Sequence, residues 1–180
     1  MPTFTSYDPD AKVIGQNALS FIQNVNSDDI LPILKKYGLS QIDPGTWYPL
    51  QQWLNVLSEI SEQNNAMFNM VAIGAAISET AILPPGAENL SLEQILFAIN
   101  DVYQMQHQGN VGHIATEKVS DTHIKLTVCV PYPDDLEYGT TYGFVRRFLP
   151  SSDSFNVFYD ADTLRHDEGG DCTVIHVQWE

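Results

Sequence analysis

The spacing of apolar residues changes once along this chain, near Gly109, and that change constrains the fold more than any other feature. Up to residue 107 apolar side chains recur every three or four positions, as on helices, and beyond Gly109 they alternate, as on strands. Helices followed by antiparallel strands are typical of an α+β protein rather than an alternating α/β one. We therefore predict one domain over 1–180, mainly helical over 1–107 and mainly sheet over 108–180.

Five helices are expected in the first part of the chain. The second follows a cap within Ser27-Asp28-Asp29, and Pro32 falls in its first turn if Asp29 is the cap. The third begins near Trp47. The fourth starts after Asn64 or Asn65 and ends at the Pro84-Pro85-Gly86 turn, and the fifth opens with a capping box from Ser91 to Gln94.

The second part predicts a four-stranded antiparallel sheet with one helix inserted between strands two and three. Strands are expected at 111–119, 122–130, 154–160 and 172–179, with a tight turn at Ser120-Asp121 and the helix at 138–149. The helical layer then packs on this sheet.

Charge and cysteine content limit the classes of function. The chain has 23 acidic and 8 basic residues, a net charge of −15, which repels nucleic-acid phosphates and anionic lipid headgroups. No apolar run approaches the ~18 residues of a membrane span, and residues 1–10 do not resemble a secretory signal. Two cysteines are too few for a disulfide framework, so we expect a cytoplasmic protein that binds neither nucleic acid nor membrane.

Catalytic and metal-binding motifs are missing from the sequence. No nucleophile elbow, phosphate loop or zinc-protease motif occurs, so we expect no catalytic residue and no cofactor. Cys129 and His123 share the polar face of one predicted strand, and Cys172 and His176 share that of another. Because Cys172 and His176 lie roughly 13 Å apart at about 3.3 Å per residue, these four cannot ligate one metal, and no metal site is expected. The acidic segment 160–171 predicts a solvated turn.

Large apolar side chains suggest a ligand cavity between the helical layer and the sheet. The predicted lining consists of Trp53, Met67, Met70, Tyr142 and Phe158, since methionine adapts to irregular space and a buried tyrosine hydroxyl needs a partner. The alternative is that these residues simply form a large core.

Short glycine-based motifs carry a family resemblance. They are Pro131-Tyr132-Pro133, the segment from Tyr138 to Gly143, the run Gly169-Gly170-Asp171-Cys172 leading to Trp179, and the helix segment from Ile73 to Ile77. Together they resemble the 4-vinyl-reductase-type domain, in the superfamily of haem-nitric-oxide-binding domains and TRAPP subunits. The resemblance implies a non-catalytic module of a bacterial signalling system that senses a small hydrophobic molecule. The alternatives are a ligand-free structural subunit like the TRAPP proteins and a haem-based gas sensor.

The resemblance also bears on metal, haem and assembly. Some relatives hold zinc with three cysteines and a glutamate, of which Cys172 matches here while Leu164 and Ala161 stand at the positions of two others. Haem-binding relatives use a helical proximal histidine, and His107 lies at a helix end. The superfamily habit, together with a close-packing face at Gly139 and Gly143, predicts a homodimer.

Overall fold

Three of the described helices begin at a polar residue whose side chain accepts from a free backbone N–H group. A computed structural model describes residues 4–62, 69–81, 83 and 85–180. Its helices are α1 (Gly15–Ile22), α2 (Ser27–Lys36), α3 (Leu50–Glu62), α4 (Met70–Thr80), α5 (Leu92–Met105) and α6 (Asp134–Phe148). The expected capping box of α5 is confirmed, with Ser91 and Gln94 bonded reciprocally.

Four helix starts differ from the sequence expectation, and one of them is that of α6, which begins at Asp134 rather than at residue 138. Asn26, rather than Asp29, caps α2, so Pro32 lies inside the helix instead of in its first turn. The segment Trp47–Pro49 is a short strand, and α3 therefore begins at Leu50. Asn69 caps α4 by accepting from the N–H of Ala72; the expected start after Asn64 or Asn65 falls outside the described residues.

The α+β class and the four-stranded antiparallel sheet with an inserted helix are confirmed. The strands are β4 (His113–Ser120), β5 (His123–Cys129), β6 (Phe155–Tyr159) and β7 (Thr173–Trp179), in the order β4-β5-β7-β6, with α6 between β5 and β6 in sequence. A second sheet, β2-β1-β3, joins β1 (Lys12–Ile14), β2 (Trp47–Pro49) and β3 (His107–Gln108); the sequence did not predict it.

The core lies between the helices and one face of the main sheet. Ile124, Leu126, Ile175 and Val177 on the two central strands are fully buried. Helix α6 covers this face at β6, where the Tyr138 hydroxyl donates to the carbonyl of Val157 (2.6 Å). Among the described residues, none of the helices is long and apolar enough to cross a bilayer.

Glycines bring α4 and α6 into backbone contact. A Cβ on Gly139 would lie 2.2 Å from the carbonyl oxygen of Val71, and one on Gly143 would lie 2.4 Å from that of Ala75. The expectation of a close-packing face is therefore right, but that face packs against α4 of the same chain. The glycines offer no surface to a second copy, so they no longer support the predicted homodimer, which stays untested.

Side chains reinforce the contact between α4 and α6. The Ser78 hydroxyl on α4 donates to the carbonyl of Thr140 on α6 (2.7 Å). At the other end, the Arg147 guanidinium of α6 donates to the carbonyls of Ser78 (3.0 Å) and Ala81 (2.8 Å). The last carbonyls of α4 thus find partners on its neighbour.

Candidate ligand-binding site

An apolar pocket of about 360 Å³ lies between α5, α6 and the segment that precedes α5. Helix α5 supplies Ile95, Ala98, Ile99 and Val102, which share one helix face by their spacing. The walls are completed by Phe144 of α6 and by apolar residues before α5, namely Leu83, Pro85, Gly86, Ala87 and Leu90. The small side chain of Ala98 leaves room that a larger residue would fill.

A buried group of three aromatic side chains, which we call the histidine–tyrosine cluster, lies at the other end of α5. It comprises Tyr103, His107 and Tyr132. His107 Nδ1 lies 2.7 Å from the carbonyl oxygen of Tyr103, and its Nε2 lies 2.7 Å from the hydroxyl of Tyr132. Since a carbonyl can only accept, Nδ1 carries the proton and Nε2 accepts from the Tyr132 hydroxyl. The Tyr103 hydroxyl donates to the carbonyl of Val111 (2.7 Å).

Burial sets the protonation states of this cluster. It lowers the pKa of His107 to about 4, against a weaker opposing effect of the hydrogen bond to Tyr103. It raises the pKa of the Tyr132 hydroxyl well above its usual range. The pKa of Glu137, on the first turns of α6, is raised to about 7 by burial and by the nearby charge of Asp134. At neutral pH His107 is thus a neutral imidazole.

Haem would need an axial ligand on its iron, which proteins supply from histidine, cysteine, methionine or tyrosine. No described residue that lines the apolar pocket is of these types. His107, the candidate from the sequence, has both ring nitrogens occupied by hydrogen bonds. Neither the described lining of the apolar pocket nor His107, as it is hydrogen-bonded in this structure, offers an axial ligand to a haem iron.

A pair of carboxylates joins α6 to the turn before β7. Asp134, 3% exposed, accepts from the backbone N–H of Asp167, and Asp167 accepts from that of Asp134, both at 2.9 Å. The Thr173 hydroxyl also donates to Asp134. Burial, and then the charge of Asp134, raise the pKa of Asp167 to about 6. Segment 160–171 was expected to be a solvated turn, but Asp167 within it is half-buried and caps α6 by accepting from the N–H of Asp134.

His166 lies beside this carboxylate pair. Ligand atoms of Asp134, His166 and Asp167 lie within 4.8 Å of one another, and Nδ1 of His166 and Oδ1 of Asp167 are buried without a hydrogen-bond partner. These three residues are a described donor set that could hold a cation. The sequence did not find it because Asp134 lies 33 residues from Asp167.

The predicted ligand-lining residues occupy several places. Trp53 is 1% exposed and packs edge-on against Phe21, and Met70 is also buried. Tyr142 packs on Phe155. Phe158 lies on the outer face of the sheet, stacked on His176, whereas Trp53 belongs to the core under the other face.

The structure does not bring these residues together around one described cavity. Met67 lies outside the described residues. The apolar pocket on α5 is lined by other side chains, none of which the sequence analysis proposed as ligand-binding. A ligand-binding role for Trp53, Met70, Tyr142 and Phe158 stays a prediction.

The cysteines and histidines of the sheet form two separate pairs. Cys129 and Cys172 are joined by a disulfide, and His123 Nε2 lies 2.8 Å from His176 Nδ1. The expectation of reduced thiols is wrong for this structure, and the cysteines therefore no longer argue for a reducing cytoplasm.

The fold defined by these elements is that of the H-NOX domains, which bind haem and nitric oxide or oxygen. The chain aligns with an H-NOX protein from S. oneidensis in its Fe(II)NO ligation state, with a TM-score of 0.68, 12% identity, and coverage of 93% of this chain and 99% of that one. A Cs H-NOX mutant gives a TM-score of 0.64 at 14% identity over 93% and 96% of the two chains. A structure that probes haem distortion in the H-NOX family gives 0.63 at 13% identity over 92% of each chain.

At such low identity the likeness shows the fold and not the function. No family model and no curated protein matches the sequence. The fold agrees with the haem-nitric-oxide-binding branch of the superfamily named from the sequence motifs. The 4-vinyl-reductase-type and TRAPP resemblances are not supported by these comparisons.

Proposed function

We propose that this chain is a non-catalytic sensor module that binds a small, uncharged apolar molecule in the pocket on α5. The observation that carries the proposal is the pocket itself, with its apolar lining from Ile95 to Val102 on α5 and Phe144 on α6. Its volume of about 360 Å³ lies in the range of small-molecule sites, roughly 300–1,000 Å³.

The chemistry of the lining sets the class of ligand. All described lining residues are aliphatic, glycine, proline or phenylalanine. A charged or strongly polar ligand would lose its hydration there without gaining hydrogen bonds, which costs several kcal/mol. An apolar molecule gains about 25 cal/mol for each Å² of apolar surface removed from water.

A filling variant tests this proposal. We expect the wild type to enhance the fluorescence of an uncharged dye that is bright only in apolar surroundings, such as Nile red, and to retain small molecules detectable by native mass spectrometry. Ala98→Phe fills the pocket and should abolish both signals while costing less than the ~1–3 kcal/mol of overpacking a tight core.

Phe97→Ala is the matched control, because Phe97 is the neighbouring residue of α5 and is 47% exposed, outside the pocket. It should leave pocket binding unchanged. If Phe97→Ala removed the dye signal and Ala98→Phe did not, the dye would be binding the surface and the proposal would fail. An empty wild-type protein that binds no dye would favour the ligand-free structural subunit.

A haem-based gas sensor is the second candidate, and the comparisons with solved structures favour it over an apolar ligand, since the matched proteins are H-NOX domains. The hydrogen bonds of His107 oppose it. Titration with hemin, followed by absorbance near the Soret region, decides between the two. A Soret shift that is lost in His107→Ala would establish haem ligation and overturn the apolar-ligand proposal; no shift would reject haem.

The homodimer remains part of the proposal as an expectation from the superfamily. Light scattering at micromolar concentration measures it directly. A mass near that of the 20.1 kDa chain would show a monomer and contradict it.

A further inference from the structure

Three side chains on the outer face of the main sheet form a continuous hydrogen-bonded chain. Oδ2 of Asp160, just after β6, lies 3.0 Å from Nε2 of His176 on β7. Nδ1 of His176 lies 2.8 Å from Nε2 of His123 on β5. His176 is paired with Lys125 and His123 with Gln178 in the strand register, so the two histidines are diagonal neighbours across adjacent strands.

The partners fix where each proton lies. The ionised Asp160 carboxylate can only accept, so His176 donates from Nε2 and presents the lone pair of Nδ1 to His123. The pKa of Asp160 is lowered to about 2, chiefly by the hydrogen bond from His176. His123 in turn donates from Nε2, so a single proton bridges the two imidazoles.

The surroundings hold one imidazole firmly and leave the other accessible. The His176 ring stacks on Phe158, with centroids 5.1 Å apart and planes 13° apart, and its side chain is 12% exposed. His123 borders an open cleft of about 370 Å³ that also contacts Asn156 and Gln178. The cleft gives a cation and its water ligands a path to the histidine pair.

We propose that His123 Nε2 and His176 Nδ1 bind a divalent transition-metal cation of the Zn²⁺ type in place of the proton that bridges them. Imidazole nitrogen is a preferred ligand of Zn²⁺. Asp160 holds His176 in the required tautomer, the usual arrangement of a carboxylate behind a metal-bound histidine.

The change needed to admit the cation is small. Two nitrogens at 2.0–2.1 Å from one tetrahedral zinc lie about 3.3 Å apart, so the rings must separate by about half an ångström. His123, the more accessible ring, loses the proton at Nε2 to solvent and is reprotonated at Nδ1. The amide nitrogen of Gln178 lies 3.4 Å from Nδ1, so this amide must rotate to present its oxygen, which can accept from the new N–H. Both imidazoles stay neutral, and water from the cleft completes the coordination.

The nearby charges are compatible with a cation. Lys125, opposite His176 in the register, forms an ion pair with Glu117 on β4. Asp160 contributes a negative charge behind His176, and Glu180 borders the cleft. This site lies on the sheet face away from the apolar pocket, so it is independent of the proposed function.

Calorimetric titration of the full chain with zinc chloride at pH 7.5 tests the inference. We expect saturable binding of one Zn²⁺ per chain, weakened at least tenfold by His123→Gln or His176→Gln. Asp160→Asn should weaken it roughly tenfold, since loss of the partner behind a metal-bound histidine costs about 10–100-fold. In nuclear magnetic resonance spectra the ring protons of His123 and His176 should shift on zinc addition.

His113→Gln is the matched control, because His113 is an exposed histidine on the same sheet; it should leave zinc affinity unchanged. Thermal melts show whether each variant is folded. Absence of zinc binding, or equal binding by wild type and His123→Gln, would overturn the inference. Loss of binding in Asp167→Asn with retention in His123→Gln would assign zinc to the carboxylate pair instead.

Discussion

Replacement of His107 by glutamine should make the stability difference from wild type depend strongly on pH. The folded chain holds His107 with a pKa of about 4, whereas its ordinary value is 6.5. Because the folded pKa is the lower one, the unfolded chain takes up the proton first as the pH falls. The neutral imidazole thus contributes stability that is complete above pH 6.5 and is lost as the pH falls toward 4.

The size of the pH-dependent change in stability follows from the lowered pKa of His107. A difference of 2.5 between 6.5 and about 4 is worth about 3 kcal/mol at 1.36 kcal/mol per pKa unit. At pH 7 His107→Gln should cost about 1–3 kcal/mol, because the Tyr132 hydroxyl and the Tyr103 carbonyl lose a well-placed partner. By pH 4 that cost should shrink by about 3 kcal/mol, so that the variant equals or exceeds the wild type.

Urea unfolding at pH 7 and pH 4 measures this difference. The comparison with the variant is needed because Glu137 and Asp167 act in the opposite direction: their raised pKa values add stability as the pH falls. A difference between wild type and His107→Gln that stays constant from pH 7 to pH 4 would refute the reasoning. It would mean that His107 titrates alike in the folded and unfolded chain.

Three further predictions concern the disulfide, the helix contact and Glu137. Cys129→Ser should lower the free energy of unfolding by up to about 4 kcal/mol, since the disulfide closes a loop with a sequence separation of 43. In urea titrations a reductant should destabilise the wild type by the same amount. If the reductant had no effect, the pairing of Cys129 with Cys172 would be contradicted. Gly139→Ala should cost at least about 3 kcal/mol in thermal melts, because its Cβ meets backbone at 2.2 Å, while Gly45→Ala, with its nearest atom at 3.5 Å, should cost less than about 1 kcal/mol. Glu137→Gln should remove the share of stability that Glu137 adds as the pH falls from 7 to 4.5, because its folded pKa of about 7 exceeds the ordinary 4.5. A difference between wild type and variant that does not change with pH would show that Glu137 titrates normally.

The long elements were predictable because each shows its own period over many residues. The strands from His113 to Cys129 alternate for several positions each, and α5 carries both an apolar stripe and a capping box. The strands of the small sheet are two or three residues long, too short for a period to emerge. Asn26 does not stand out as a cap because three polar residues follow it.

The candidate sites depended on arrangements that spacing along the chain does not encode. Cys129 and Cys172 face each other because β5 and β7 are neighbours in the sheet, and strand order cannot be read from local pattern. The pocket has the same origin: Ile95 and Ile99 show the same stripe whether they face a filled core or a cavity. Whether this helix face meets a filled core or a cavity depends on how much side-chain volume lies opposite it, which the pattern along α5 does not show.

The backbone contact between α4 and α6 divides the surroundings of the pocket into a stiff side and an adjustable side. With Gly139 set against Val71 and Ser78 bonded across the interface, neither helix can shear along the other without breaking close contacts. Phe144 is carried by that stiff pair, and α5 is bonded to β4 through Asn100 and Leu96. The segment from Pro85 to Leu90 contains only a three-residue 3-10 helix, Ala87–Asn89. Uptake of a ligand should therefore displace the segment from Pro85 to Leu90 rather than α5 or α6, and a signalling partner would have to contact this segment to detect the ligand.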